Sequence, residues 1–388
     1  MSPRKALFQL HWILGITVGI VLAIVGATGA LLSFEQQIVA SLAREGRQVE
    51  ANGRTPLPPA ELLTHVAANE PQKRITGLNI VREPSETVRV TFAPREQRYV
   101  DPYTGALLPA TQGGAETFFR NVRSLHRWLM LGELGDRDIG RQIVGASTML
   151  LIFMALTGLY LRWPRGPAAR RLKTWFVPDF RLNGRAFLWN LHSVIGTWIL
   201  PIYLVIALTG LQWSYEWYRD GLYSIAGVER PAGGEGGPRE GRGGEQREAR
   251  GATDIPTFAR AWETFSRETG GFTSVNVNLA APPGRPLEFR YLDRQPSHER
   301  AFNTLAVDGE GRVTKAERYR DKKLAAQLVS SIFPLHSGSY FGLVGVIVFL
   351  IASLAMPLFA VTGWIMYLQR RAPRARRASL AAATEEAS

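Results

Sequence analysis

Six histidines carry most of the metal-binding chemistry open to this 388-residue chain, because it contains no cysteine. The missing thiols exclude disulfides, thiolate metal sites, iron–sulfur clusters and covalent C-x-x-C-H haem attachment. Four of the six follow a leucine: His11, His126, His192 and His336. The other two, His65 and His298, read as ordinary surface residues. His11 opens "LHWILGITVGIVLAIVGATG" and His192 opens "LHSVIGTWILPIYLVIALTG", each seventeen residues before a Thr-Gly pair, Thr28-Gly29 and Thr209-Gly210. An imidazole in an apolar helix is costly unless a partner holds it.

Two neutral imidazoles from different helices can ligate a haem iron from its two faces while apolar helix walls surround the porphyrin. Helix rise sorts the four histidines by depth. At 1.5 Å per residue Thr28 lies about 26 Å beyond His11, so His11 and His192 share one leaflet. His126 and His336 precede helices that run the opposite way and share the other. The expected arrangement is an inner axial pair, His11 with His192, and an outer axial pair, His126 with His336. Each would hold a non-covalent, bis-histidine b-type haem. Gly15 and Gly19 after His11, Gly196 after His192, and Gly338 and Gly342 after His336 are placed to admit a flat macrocycle. Arg127 and Arg141 on the outer side, and Lys5 and Arg185 on the inner side, could pair with propionates. The competing structural reading makes each histidine a helix–helix hydrogen-bonding residue. Zinc is the rival metal, but it takes three or four convergent ligands and the helices offer no acids. The Thr-Gly pairs at Thr28, Thr157, Thr209 and Thr362 are read as close-packing positions.

Four long apolar stretches must position these residues, each long enough to cross a hydrocarbon core of about 30 Å. The expected fold class is a membrane α-helical protein, a four-helix transmembrane bundle from an internal duplication, with two α+β modules on the outside. The spans are placed at 1–34, 139–163, 186–217 and 336–369. The first follows Arg4 and Lys5, is too long for a signal-peptide core, and reads as an uncleaved helix. The net charge of +13 concentrates at the N-terminus, at 164–185 and in the tail at 370–388. By the positive-inside rule these parts are cytoplasmic, which makes the basic excess a topology signal rather than a sign of nucleic-acid binding. The expected topology is multi-pass, with both termini cytoplasmic.

The outside segments, 35–138 and 218–335, each read as a helix followed by strands. "PLPPAELLTHVAANEP" and "DIPTFARAWETFSRETG" have helical period, while "ETVRVTF", "FTSVNVNLA" and "PLEFRYL" read as strands. The turns "VDPYTGA" and "VDGEGRV" are placed alike. A charged, glycine-rich stretch at 232–251 reads as a disordered insertion. The chain thus reads as an internal duplication, with His11 matching His192 and His126 matching His336.

The L-H helices ending in T-G, "GRQIVG", "LTGLYLRWPR" and the "VDPYTG" turn resemble the PepSY-associated transmembrane family over about 5–371. Within it the chain looks most like the inner-membrane ferric-siderophore reductases of the FoxB type. That resemblance implies two PepSY modules in the periplasm and two haems on His11, His126, His192 and His336. It implies electron transfer across the membrane that reduces ferric siderophores and releases Fe(II). No G-x-G-x-x-G or flavin-binding domain is present, so the electron donor would be a separate quinol, flavin or reductase. Two other functions compete: a non-enzymatic sensor or protease-regulating module, and a siderophore transporter. The transporter is the weaker, since no acidic residue lies within the helices to couple an ion.

Overall fold

The computed structural model describes residues 2–42, 49–94, 96–109, 114–164, 166, 171–228, 254–280, 282 and 284–386. The insertion expected at 232–251 lies outside them. In chain order the helices and strands are α1 (Pro3–Leu32), α2 (Glu35–Leu42), α3 (Pro59–Asn69), β1 (Ile75–Val81), β2 (Val88–Phe92), β3 (Glu96–Val100) and α4 (Gly114–Trp128). There follow α5 (Arg137–Arg162), α6 (Leu172–Phe176), α7 (Gly184–Ser214), α8 (Glu216–Ala226) and α9 (Ile255–Thr269). The chain ends with β4 (Ser274–Asn278), β5 (Leu287–Leu292), β6 (Asn303–Val307), β7 (Val313–Glu317), α10 (Leu324–Ser330), α11 (Ile332–Ser337) and α12 (Gly342–Glu386). Two compact units form: 1–35 with 118–221 and 335–388, and 36–117 with 222–334.

In the first unit, four helices among the described residues are long and apolar enough to cross a membrane: Pro3–Leu32, Arg137–Arg162, Gly184–Ser214 and Ser339–Arg371. They form a closed ring in which α1 touches α5 and α12, and α7 touches the same two. The diagonal partners α1 and α7 are therefore the two helices that carry His11 and His192. The core between them is Leu22, Leu151, Ile199, Tyr203, Ala207, Ala352, Ala355 and Met356. Small residues set the closest approach, as helix pairs in lipid require. A Cβ on Gly26 would stand 2.6 Å from the Met356 Cβ and 2.8 Å from the Ser353 carbonyl. The polypeptide changes direction sharply ahead of two of the spans. Leu129 and Met130 have positive φ after α4, and Gly338 (φ +81°) and Gly342 (φ +66°) have it after α11. His126 and His336 consequently sit on short helices that fold back onto the next span. The fourth span does not begin at 336 as expected, because the turn at 338–342 separates α11 from α12.

In the second unit, all seven strands join one antiparallel sheet in the order β3-β2-β1-β4-β5-β6-β7. The sequence suggested two modules, each with its own strands. Instead β1 and β4 pair, with Asn79 opposite Asn276, and complete one continuous sheet. Pairing these two strands satisfies backbone groups that each module alone would leave on an edge. Strand β2 alternates buried and half-buried residues, so one sheet face is apolar. Onto that face pack α3 and α9, burying Leu62, Leu63, Val66, Phe258, Ala261 and Phe265. Asp254 caps α9 by accepting from the Thr257 amide at 2.8 Å. The two turns form as expected: Asp101 accepts from the Tyr103 amide at 2.8 Å and Asp308 accepts from the Arg312 amide at 2.8 Å.

Candidate functional site: two imidazole pairs in the helix bundle

Each leucine-following histidine meets a Thr-Gly pair on a neighbouring helix. His11 Nδ1 lies 3.0 Å from Thr157 Oγ1, and His192 Nδ1 lies 2.9 Å from Thr362 Oγ1. His126 Nδ1 lies 3.1 Å from Thr28 Oγ1, and His336 Nδ1 lies 3.0 Å from Thr209 Oγ1. The glycine that follows leaves room for the ring in three of the four cases. A Cβ on Gly158, Gly29 or Gly210 would stand 3.2 Å from Cε1 of His11, His126 or His336, whereas a Cβ on Gly363 would meet nothing within 4 Å. Close packing was thus half of the role of these pairs. The other half is a hydrogen bond to an imidazole, which the sequence reading missed. The available signal was that four T-G pairs accompany four L-H pairs.

The threonines also decide the tautomer. Each Oγ1 lies 2.6 to 2.8 Å from the carbonyl four residues earlier: Ile24, Phe153, Val205 and Leu358. A hydroxyl has one proton, so donation to that carbonyl leaves Oγ1 to accept from the imidazole Nδ1–H. For His126 and His336 a second contact fixes the assignment. Their Nδ1 atoms also lie 3.0 Å from the carbonyls of Val25 and Ile206, and a carbonyl can only accept. In all four rings Nδ1 carries the proton, and Nε2 is left with a free lone pair, the form that ligates a metal.

His11 and His192 line one cavity of about 910 Å³ between the four spans, in the half of the bundle that holds these two histidines, with Gly15, Gly19, Gly158, Gly196, Met154 and Phe359. Gly15 and Gly196 border this space as expected: their Cβ positions come only within 3.9 Å of Met154 and 3.8 Å of Phe359. Toward one end the lining includes Arg162, Arg185, Arg370 and Arg371, and no Asp or Glu. Arg162 is only 7% exposed. Its Nη2 donates to the Thr174 carbonyl and, at 2.9 Å, to the Trp175 carbonyl, while its Nη1 is buried without a hydrogen-bond partner. Sequence reasoning had assigned Arg162 only to topology. Lys5 does not line the cavity.

His126 and His336 lie together, ring centroids 6.4 Å apart and planes at 69°, with Trp213 5.1 Å from His336. Burial lowers the pKa of both imidazoles. Of the two arginines expected beside this pair, Arg127 lies over the Trp128 ring at 4.8 Å, and Arg141 pairs with Asp138 at 3.1 Å. Gly338 does not make room for a ring, because its Cβ space is filled by the Gly345 carbonyl at 2.7 Å and Phe349 at 2.8 Å. A Cβ on Gly342 would meet nothing within 4 Å, and its positive φ serves the turn.

His65 is on the surface of the second unit, as expected, but His298 is not. It is 6% exposed, beside Ser331 at 1%. The Arg300 amide donates to its Nδ1 at 3.1 Å, so Nε2 carries the proton. That Nε2 lies 2.8 Å from the Tyr319 hydroxyl and 3.0 Å from Ser331 Oγ. A ring whose basic nitrogen is occupied cannot activate Ser331, which rules out a Ser-His hydrolase arrangement here. The trio ties the segment between β5 and β6 to the turn after β7 and to the end of α10. Among the described residues, no three His, Cys, Asp or Glu side chains converge as a metal site would need.

Fold and site define a membrane protein with four apolar spans among the described residues, imidazole pairs contributed by different helices, and a separate antiparallel sheet. The chain matches the PepSY-associated TM region over residues 8–370 and belongs to that family. No curated protein matches it.

Proposed function

We propose that the protein is a di-haem oxidoreductase of the bacterial inner membrane. It transfers electrons across the bilayer, reducing ferric siderophores on the periplasmic side and releasing Fe(II). The observation that carries this reading is the repeated lock on Nδ1, which leaves four Nε2 lone pairs free within the bundle. Several features of the chain fit the group. The cavity beside His11 and His192 is apolar and of small-molecule size. Its rim carries arginines and no acid, which suits the two carboxylates of a haem. The 6.4 Å between the His126 and His336 rings matches two metal–nitrogen bonds of about 2 Å each plus the ring radii. Two-ligand geometry also suits haem better than zinc.

A bound haem supplies one-electron Fe(III)/Fe(II) chemistry. The chain's own residues do the rest. His11 and His192 would hold the iron at one site, and His126 and His336 at the other. Thr28, Thr157, Thr209 and Thr362 orient the rings. Gly15, Gly158 and Gly196 make space, and Arg162, Arg185, Arg370 and Arg371 receive the propionates. Arg127 and Arg141 remain the candidates at the second site. The donor is a separate quinol, flavin or reductase on the cytoplasmic side; the basic segments at both ends support that orientation by the positive-inside rule. The internal duplication belongs to the same proposal. Supporting it are four corresponding His–Thr contacts and a strand order in which β1-β2-β3 and β4-β5-β6 run outward from the Asn79–Asn276 pair, with β7 added on one side.

The test is an optical spectrum of the purified full-length protein, oxidised and reduced, with haem quantified per chain. Two haems are expected. His192→Ala and His336→Ala should each lose one and keep the other. A colourless protein would overturn the reading and favour the sensor.

A further inference from the structure

The two imidazole pairs share one ligand set but not one hydrogen-bonding set. At His11 and His192 the Nδ1–H has a single acceptor, the hydroxyl of Thr157 or Thr362. At His126 and His336 it has two. Thr28 and the Val25 carbonyl serve His126, and Thr209 and the Ile206 carbonyl serve His336. The reason is local. Val25 and Ile206 lie three residues before Thr28 and Thr209, and each threonine hydroxyl already reaches the same carbonyl, at 3.0 and 3.1 Å. The imidazole there enters a three-way contact with hydroxyl and carbonyl. At the other pair Nδ1 meets the hydroxyl alone among the described residues.

We infer that these threonines are positioning residues that set the electron affinity of the two sites unequally, an inference that rests on the haem reading. The physical chain is short. An acceptor on Nδ1–H draws the proton away from the ring and makes Nε2 a stronger donor. A stronger donor favours Fe(III) over Fe(II), which lowers the reduction potential. Two acceptors do so more than one. The site held by His126 and His336 therefore has the lower potential. Each threonine also matters differently. At Thr157 and Thr362 it is the only acceptor of the ring proton among the described residues, so its loss leaves Nδ1–H unpaired. At Thr28 and Thr209 a carbonyl anchor remains.

The experiment is spectroelectrochemical titration of the purified full-length protein. His192→Ala and His336→Ala each leave one site to be measured by itself. The site retained in His192→Ala, that of His126 and His336, should titrate at the lower potential; the reverse order overturns the inference. Next, Thr157→Val and Thr362→Val should raise the potential of their site clearly. Thr28→Val and Thr209→Val should raise theirs by less. Thr→Ser at each position should restore the wild-type value, because serine keeps the hydroxyl. Equal shifts at all four positions, no shift at any, or failure of serine to rescue would refute the role while leaving the haem reading intact. A wild-type protein without haem would instead sink the haem reading itself, so the two failures are distinguishable.

Discussion

Gly158→Ala tests the lock with a single methyl group. The new Cβ would stand 3.2 Å from His11 Cε1, while carbon atoms pack at about 3.5–4.0 Å. The ring must therefore yield by roughly 0.3–0.8 Å. Thr157 immediately precedes Gly158, so retreat from the methyl also stretches the 3.0 Å contact between Nδ1 and Thr157 Oγ1 beyond the usual limit of about 3.2 Å. A weakened hydrogen bond plus overpacking costs about 2 kcal/mol, a factor of roughly thirty in retention of the haem at that site. Gly363→Ala is the internal control. It makes the same change beside Thr362, the partner of His192 across the same cavity, and its Cβ meets nothing within 4 Å. It should leave retention unchanged. Gly29→Ala and Gly210→Ala meet His126 and His336 at the same 3.2 Å and should behave like Gly158→Ala. The assay is the rate at which an excess of a haem-scavenging protein strips each variant, followed optically. If Gly363→Ala loses haem as fast as Gly158→Ala, or neither differs from wild type, the steric account of the lock is wrong.

Two further outcomes are expected. Gly196→Leu places a branched side chain in the 910 Å³ cavity; the protein should still enter the membrane, but with about one haem fewer per chain and the Thr209–His336 site intact. In the second unit, burial lowers the pKa of His298 below its ordinary 6.5. The unfolded chain then binds a proton that the folded one refuses. That unit should be most stable above about pH 6.5 and lose stability as pH falls from there toward the folded pKa. Hydrogen exchange of the β4–β6 amides at pH 7.5 and 5.5 in the full-length protein reads this directly. His298→Gln should flatten the difference, and an unchanged slope in the variant would exclude His298 as its source.

Much of this protein follows from local sequence because lipid imposes a severe rule. A backbone in hydrocarbon must satisfy its own hydrogen bonds, so a long apolar run can only be a helix. Four such runs, their approximate limits and the placing of His11 and His192 in parallel positions are all legible from residue order and helix rise. The turns at Asp101 and Asp308 are legible too, since an aspartate accepts from the backbone amide two residues on, here Tyr103 and Glu310, and so specifies its own turn. Tertiary structure decided what depends on contacts between distant segments. Strand pairing is not written in the strands: β1 and β4 stand nearly two hundred residues apart in the chain, and their union into one sheet emerges only when both edges are present. The same holds for His298, whose polar surroundings in sequence conceal a buried clamp. It holds most of all for the threonines. A Thr-Gly pair at a helix end has the same local meaning with or without an imidazole beside it. Only the packing of one helix against the next shows that its hydroxyl accepts a ring proton, and so determines which nitrogen of each histidine is free.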